Sequence, residues 1–206
     1  MGCCLNFLRG AKSGDDEGDT KKDIGNMNIT NSAVICRAGK SGDGILISPF
    51  VPRNSYIISG DGIFLGSCSL DCDTAFWEVV LGKKPEGIRV GIKRCTKQST
   101  IQLSGQLDGK GEGESPSWCL EGHSFKEGDV IGVCWDQTDL PMLSFTLNGA
   151  ILPTGSITRI RPANDIYPAV SLTKESTCEI IFDGAHFLKS APSSKFSMIV
   201  CATSLI

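Results

Sequence analysis

Residues 127–149 read EGDVIGVCWDQTDLPMLSFTLNG, and this stretch decides the fold that the sequence predicts. The apolar run at 130–135 follows a Gly-Asp pair and ends in a cluster of turn-forming residues, which is typical of a short buried strand. Residues 143–147 alternate between apolar and polar side chains, the period of a strand with one buried face. Asn148 and Gly149 tolerate positive φ, so the chain can reverse there into a third strand.

Short strand candidates recur from residue 32 onward, and clusters of Gly, Asn, Asp or Pro separate most of them. They lie at 33–37, 45–47, 56–59, 62–66, 75–81, 87–93, 99–103, 129–135, 142–148, 166–172, 177–182 and 196–201. This pattern, with no long amphipathic helix, predicts an all-β fold, an antiparallel β-sandwich. The alternating residues 88–93 and 177–183 predict strands with one face in water. Residues 105–117 contain four glycines and predict a long exposed loop.

Length and composition fit one β-sandwich domain preceded by a tail. A chain of 206 residues that is 40% hydrophobic can fold around a single core. Residues 10–31 are mostly polar and bury too little apolar surface to offset the entropy of ordering, so we expect them to be flexible. The predicted organisation is a flexible N-terminal tail at 1–31 and a sandwich domain at 32–206.

Charge and hydropathy limit the kinds of partner and the cellular location that the sequence predicts. The net charge is −3 and no segment is strongly basic, which argues against nucleic acid as a partner. The chain has no apolar run of 18 residues that would predict a membrane-spanning helix, and its first residues do not resemble a secretory signal. We therefore expect a cytoplasmic protein.

The ten cysteines are expected to be reduced thiols, because a protein without a secretory signal stays in a reducing compartment. Four of them lie in apolar, strand-like runs and should pack as small hydrophobic side chains: Cys36, Cys134, Cys178 and Cys201.

The sequence predicts neither a metal site nor catalysis. Cys68, Cys72, Cys95 and His123 could conceivably bind zinc, but the pair at 68 and 72 lacks the second pair that zinc sites normally show. The chain has only two histidines, and neither belongs to a recognisable nucleophile motif. We expect a protein that is not an enzyme and has no cofactor.

The stretch 127–149 resembles the signature core of the SPRY domain family, in which an E-G-D-V-I-G strand, an aspartate and an S-F-x-x-N-G hairpin follow in order. Residues 75–80, 87–92 and 166–172 resemble further strands of the family, the last through its Y-P-A-V-S-L motif. The resemblance covers about residues 32–188. It departs from the family at the closing strand, usually Asn-Phe-Gly, where this chain has Phe182-Asp183-Gly184.

The resemblance implies a non-enzymatic module that binds a protein or peptide ligand through loops at one edge of the sandwich. Loop position and residue chemistry, rather than matched motif residues, single out the candidate binding residues Arg53, Tyr56, Trp118, Arg159, Arg161 and Asn164. Trp118 follows a glycine-rich segment and is equally compatible with a binding contact and a core position, whereas Trp77 and Trp135 lie in apolar runs and are expected in the core.

The beginning Met1-Gly2-Cys3-Cys4 indicates acylation, with myristate on Gly2 and palmitate on Cys3 and Cys4. Asn6 departs from the usual pattern, which has Ser or Thr at that position. The first hypothesis is an interaction module tethered to the cytoplasmic face of a membrane. The alternatives are a non-lipidated structural subunit of a larger cytoplasmic assembly, and an enzyme that uses a cysteine or a bound metal.

Overall fold

The computed structural model describes residues 34–95, 103–109, 111–113, 115–161 and 164–201. Strands account for nearly all of their regular structure, and the remainder is three single 3₁₀ turns at Val51–Arg53, Pro85–Gly87 and Gly184–His186. The strands are β1 (Val34–Ile35), β2 (Ala38–Ser41), β3 (Ile45–Phe50), β4 (Ser55–Gly60), β5 (Gly62–Gly66), β6 (Thr74–Leu81), β7 (Ile88–Arg94), β8 (Ser117–Cys119), β9 (Val130–Asp136), β10 (Met142–Leu147), β11 (Ala150–Ile151), β12 (Ile166–Leu172), β13 (Thr177–Ile181) and β14 (Val200–Cys201). None of the helical turns in these ranges could cross a bilayer.

Two antiparallel sheets form the sandwich, which confirms the predicted fold class. The larger sheet has seven strands in the order β11-β10-β9-β6-β13-β4-β3, and the smaller has five in the order β2-β5-β12-β7-β8. A separate two-stranded pair joins β1 to β14, so the first and the last described strands lie side by side.

The inner faces of the two sheets form one core. The aromatic side chains that the alternation predicts to be inside are fully buried there: Trp77, Trp135, Phe145 and Phe182. Cross-strand register explains this, because Leu143 lies opposite Trp135 and turns the same face inward. The core assignments made from the sequence are confirmed.

The hairpin predicted at Asn148-Gly149 is present, with φ of 51° and 89° at the two residues. The preceding Gly-Asp turn is architectural. Asp129 accepts a hydrogen bond from the Lys126 amide at 2.8 Å and another from the Asn148 side chain at 2.9 Å. Asn148 in turn accepts a hydrogen bond from the Val130 amide at 2.9 Å, so the start of β9 is tied to the turn between β10 and β11.

The prediction that β7 and β13 each have one face in water is wrong in part, since Lys93 and Glu179 are each only 7% exposed. Residues 103–109 cover the outer face of the five-stranded sheet, where Leu103 and Leu107 join Ile63 in a buried apolar cluster. The segment 105–117 is therefore not simply an exposed loop. Polar alternation cannot reveal this, because long charged side chains become buried when a neighbouring segment supplies partners.

The seven-stranded sheet is also covered on its outside. Residues 184–201, named here the C-terminal strap, run from the end of β13 across β6 and end in β14. Phe187 of the strap meets Phe76 of β6 edge to face at 5.0 Å between ring centroids.

The expectation that every cysteine is a free thiol is wrong for Cys68 and Cys201, which form a disulfide with a Cα–Cα distance of 5.5 Å. The two residues are 133 positions apart, and only the pairing of β14 with β1 brings them together, so the sequence gives no sign of it. Cys36, Cys134 and Cys178 are buried free thiols, as expected.

Most of the strand candidate at 99–103 lies outside the described residues, and Leu103 is not in a strand. Strands β2 and β8 were not predicted, whereas β11 is the third strand expected after Asn148-Gly149; the candidate at 196–201 contains only the two-residue β14. The predicted flexible tail at 1–31 also lies outside the described residues and remains a prediction.

Candidate functional site

The connections at 51–54, 67–73, 137–141 and 152–165 meet at one end of the sandwich, named here the loop end. Strand register places them together, because β3, β5 and β9 finish at this end while β4, β6, β10 and β12 start there. The connection 67–73 bridges the sheets: the Leu70 amide donates to Ile166 O at 2.8 Å, and the Gln137 amide donates to Asp73 O at 2.8 Å.

Arg53 lies at the loop end but is largely committed to the fold. Its guanidinium Nε is 3.3 Å from Glu179 Oε1, and it also lies 5.2 Å above the Phe50 ring. Glu179 Oε1 accepts a 2.6 Å hydrogen bond from the Ser55 hydroxyl as well. Removing Arg53 would leave a buried carboxylate without its counter-ion, so this residue supports the site more than it reaches out of it.

Tyr56 lines a cleft of about 210 Å³. The cleft lies between the start of β4 and the strand β1, and its other lining residues are Val34, Ile35, Cys36, Arg37 and Asn54. Tyr56 turns toward the core on one side and toward this cleft on the other. Arg37 is exposed at the rim, so the cleft has a mixed polar and apolar lining and a basic side chain at its mouth.

Arg159 and Arg161 project from the loop end on either side of a buried anchor. Ile160 between them is 2% exposed and belongs to the core cluster, whereas both arginines are exposed. Neither guanidinium makes an ion pair or hydrogen bond with any residue that the structure describes. The backbone of both arginines is held in place while their guanidinium groups are exposed. Such groups can form bidentate contacts with carboxylates or phosphates.

The loop that carries these arginines is held in place from β7. Arg94 Nε is 3.1 Å from Asp165 Oδ1, and a second nitrogen of the same guanidinium donates to Arg161 O. On the other side of the loop, the Ile157 amide donates to Leu143 O at 2.7 Å. Asn164 is exposed beside Asp165 and so lies on the same surface as the two arginines.

Trp118 is part of the core rather than an exposed anchor. It lies in β8 opposite Ile92 and is 7% exposed. The Arg94 guanidinium lies 5.7 Å from its ring centroid, and a Cβ atom on Gly111 would come within 2.3 Å of its indole nitrogen. The backbone of the glycine-rich segment thus packs directly on the indole, which explains why that segment needs glycine and why Trp118 is not accessible.

The candidate residues form two groups rather than one. Arg53 and Tyr56 lie by β4, whereas the arginine loop 157–164 lies by β10 and β12. Strands β13, β6 and β9 separate β4 from β10, which is four strand spacings or about 19 Å. A single ligand touching both groups would have to span the connection 67–73.

Sequence reasoning missed two exposed apolar side chains at the loop end. Val51 is 85% exposed and Leu140 is 79% exposed, and each precedes a proline in a turn. Their place in connections between strands could have signalled this, because such segments run over the surface. A groove of about 490 Å³ at the opposite end, lined in part by Arg89, His123 and Phe125, was not foreseen either.

Three buried thiols of the described region, those of Cys119, Cys134 and Cys178, are poorly suited to nucleophilic chemistry. Burial raises the pKa of Cys134 and of Cys178 to about 12 and that of Cys119 to about 11, so all three are protonated at neutral pH. Within the ranges that the structure describes, no group of three or more His, Cys, Asp or Glu side chains could hold a metal ion. The acylation candidates Gly2, Cys3 and Cys4 lie outside those ranges.

Comparisons with known proteins agree with this architecture. A sequence model of the SPRY domain matches residues 74–185, which is more than half of the chain. A human SPRY domain shares 19% identity and a TM-score of 0.50 with this chain, covering 68% of it and 97% of that domain. The NEUZ (NHR) domain of Neuralized from Drosophila melanogaster shares 12% identity and a TM-score of 0.53, covering 74% of this chain and 94% of that domain. The TRIM65 PSpry domain shares 13% identity and a TM-score of 0.50, covering 73% of this chain and 93% of that domain. At these identities the solved structures show the fold alone, and no curated protein matches the chain.

Proposed function

This chain belongs to the SPRY domain family, and we propose that it is a non-enzymatic module that binds an acidic protein or peptide segment at the loop end. SPRY domains are generally protein-interaction modules. The observation that carries the proposal is the pair Arg159 and Arg161, exposed and without an ion-pair partner among the described residues. Their loop is anchored by Ile160 and Arg94, so little entropy is lost when the arginines engage a ligand.

Local rather than overall charge supports an acidic ligand. The chain as a whole has a net charge of −3, which disfavours an acidic segment, so its binding depends on the local arginines. Arginine is the residue best suited to this task, because its planar fork pairs with both oxygens of a carboxylate. Asn164 adds an amide that can donate to and accept from the ligand backbone.

The binding experiment uses the full chain and an immobilised library of acidic, neutral and basic peptides. We expect acidic peptides to bind, and the double variant Arg159→Ala, Arg161→Ala to weaken their binding about tenfold or more, since a buried or bidentate charge contact contributes about 1.5–3 kcal/mol. The matched control is Lys83→Ala, Lys174→Ala, which removes two exposed cations from the opposite end of the sandwich. Equal loss in both double variants would indicate non-specific electrostatics and would contradict the proposal.

We further propose that the module is tethered to the cytoplasmic face of a membrane by acyl chains on Gly2, Cys3 and Cys4. The support is the Gly-Cys-Cys sequence after the initiator methionine. The tail would join the sandwich at β1, which pairs with β14 beside the loop end. A flexible tail of about thirty residues would keep the module close to the membrane, where a membrane-bound partner would meet it.

A further inference from the structure

The first half of the C-terminal strap closes over a buried carboxylate in β6. Glu78 is fully buried, and its two oxygens accept hydrogen bonds from the backbone amides of Leu188 at 2.6 Å and Lys189 at 2.8 Å. Phe187 covers Phe76 next to it. A Cβ atom on Gly132 would come within 2.7 Å of the Phe76 ring, so the sheet itself makes room for this aromatic contact.

The second half of the strap fills a gap in the seven-stranded sheet. Strand β13 ends at Ile181 opposite Glu78, so the earlier part of β6 has no neighbour on that side. The strap takes the vacant place: the Phe76 amide donates to Ser197 O at 2.8 Å, and the Thr74 hydroxyl donates to Lys195 O at 2.7 Å.

The strap then enters the core and is fixed at its end. Ile199 is fully buried, and its carbonyl accepts from the Cys36 amide at 2.9 Å. Cys201 follows in β14 and is bonded to Cys68, which lies in the connection 67–73. Within the ranges described, this disulfide fixes the far end of the strap covalently to the sandwich.

We propose that the Cys68–Cys201 pair is a reversible redox latch that holds the C-terminal strap on β6 and lets it detach when reduced. With the disulfide formed, both ends of the strap are fixed, at β13 and at Cys68, so it can open only as a closed loop. With the disulfide reduced, the strap can fray from Cys201 inward and expose Ile199, Phe76 and Glu78 in turn. Most residues from 188 to 198 are exposed to solvent, which places the strap among the least stable parts of the domain.

The chemistry requires only a small disulfide oxidant such as oxidised glutathione. Cys201 is half-buried and Cys68 almost wholly buried, so the Cys201 thiolate attacks the small disulfide first and releases one glutathione thiolate. The Cys68 thiolate then attacks the Cys201 sulfur and releases the second. Two protein thiols lose two electrons and two protons, and one oxidised glutathione becomes two reduced ones.

The reversible character rests on the proposed cytoplasmic location. Disulfides in that compartment are usually transient and redox-sensing, because glutathione and thioredoxin keep thiols reduced. In that setting the latch is open by default and closes under oxidation. In an oxidising compartment the same pair would remain a permanent bond.

The test is hydrogen–deuterium exchange on the full chain equilibrated with either reduced or oxidised glutathione, with peptide mapping to verify the Cys68–Cys201 link. We expect amides of Leu188, Lys189 and Phe76 to exchange about tenfold or more faster in the reduced protein, as for a local rather than a global opening. Amides of the reference strands β9 and β12 should be unchanged. Cys201→Ser should exchange like the reduced protein in either buffer, whereas the matched control Cys72→Ser, which removes a nearby free thiol, should behave like the parent.

Equal amide exchange of the strap in the two redox states would overturn the latch. If reduction accelerated exchange in β9 and β12 as much as in the strap, the disulfide would support the whole fold, and the latch would be overturned as well. The measurement uses purified protein and does not depend on location. A working latch in vitro with a permanently oxidised pair in cells would therefore refute the cytoplasmic location and leave the latch standing.

Discussion

Single charged residues that enter the sandwich are each matched by a specific partner. Glu78 is buried with two backbone amides at its oxygens, and Glu179 lies between Arg53 and Ser55. Lys93 donates from Nζ to Ser115 O at 2.8 Å. Burial raises the pKa of Glu78 and lowers that of Lys93, because desolvation penalises the charged form of each. The partners make these charges tolerable, which is why the covering segments are part of the fold.

Phe145 is one of the large core side chains whose truncation should destabilise the sandwich strongly. It is 1% exposed in β10 within the core, so Phe145→Ala should lower the free energy of unfolding by about 3–5 kcal/mol, the usual range for a buried ring. Chemical denaturation measures this. The control Leu140→Ala truncates a side chain that protrudes from the adjoining loop and should change stability by about 0.5 kcal/mol or less. Equal denaturation midpoints for the two variants would mean that Phe145 does not face the core of the sandwich.

Asp136 should contribute to loss of stability in acid. Its hydrogen bond with Lys195 of the strap lowers the pKa of the carboxyl below its usual value. A carboxyl with a lowered folded-state pKa stabilises the protein above its unfolded pKa of about 3.9, and this contribution is lost as pH falls through the folded value. Asp136→Asn should therefore destabilise the protein at neutral pH and flatten the stability profile in acid.

Urea denaturation at several pH values between neutral and strongly acidic measures this effect. The control is Asp139→Asn, which removes an equal charge three residues on, at an exposed position of the same loop. Profiles of the same shape for both variants would show that the Lys195 contact adds nothing beyond general charge.

At the scale of elements, the hairpin at β9 and β10 depends on a polar network as well as on alternation. The side chains of Asp129 and Asn148 are hydrogen-bonded to each other, and each also accepts a hydrogen bond from a backbone amide. The pair therefore acts as a unit, and truncating one member leaves the other's hydrogen bonds incomplete.

Because of this coupling, Asp129→Ala and Asn148→Ala should be non-additive. We expect each single variant to destabilise the protein, and the double variant to cost less than the sum of the two by about 0.5–1.5 kcal/mol. A double-mutant cycle in chemical denaturation measures it. The pair Asp71→Ala and Glu175→Ala, whose members lie at opposite ends of the sandwich, is the control and should be additive. A coupling energy near zero for Asp129 and Asn148 would mean that the turn is held by backbone geometry alone.

The strands that the sequence predicted are those with a clear apolar period, such as β6, β9, β10 and β12. Strand β2 reads Ala-Gly-Lys-Ser and exists because β5 pairs with it, so its local pattern has no period to detect. Strand β8 is three residues long and is held by β7. A strand that forms because a neighbouring strand pairs with it, and not because of its own side-chain pattern, cannot be predicted from the local sequence.

For the whole molecule, fold class and core followed from local pattern, whereas the site followed only in part. The sequence predicted Arg159, Arg161 and Asn164 from loop position, and all three are exposed in the connection before β12, while their role in binding stays a prediction. The separation of Arg53 from them, and the disulfide of Cys201, depend on strand order and on contacts between distant residues. A single sequence does not encode strand order in any local pattern.

The proposed tether concerns the molecule as a whole, and it is tested through Gly2. The first 33 residues contain only Arg9, Lys12, Lys21 and Lys22 as basic side chains, too few and too dispersed for the cluster of about 4–8 that anionic lipids attract. Membrane retention must then come from acyl chains, and one myristoyl chain alone binds only marginally.

Gly2→Ala should therefore abolish membrane attachment, because palmitoylation follows only after myristate brings the cysteines to the bilayer. The pair Cys3→Ser, Cys4→Ser should leave a weak attachment that washes away, while Asn6→Ser, which restores the usual residue of the myristoylation pattern, should retain the protein fully. Fractionation of cells expressing each full chain, with intact mass spectrometry of the product, gives both readouts. A native protein that carries neither acyl group, or a Gly2→Ala variant that still pellets with membranes, would remove the tether and favour a non-lipidated subunit of a larger assembly.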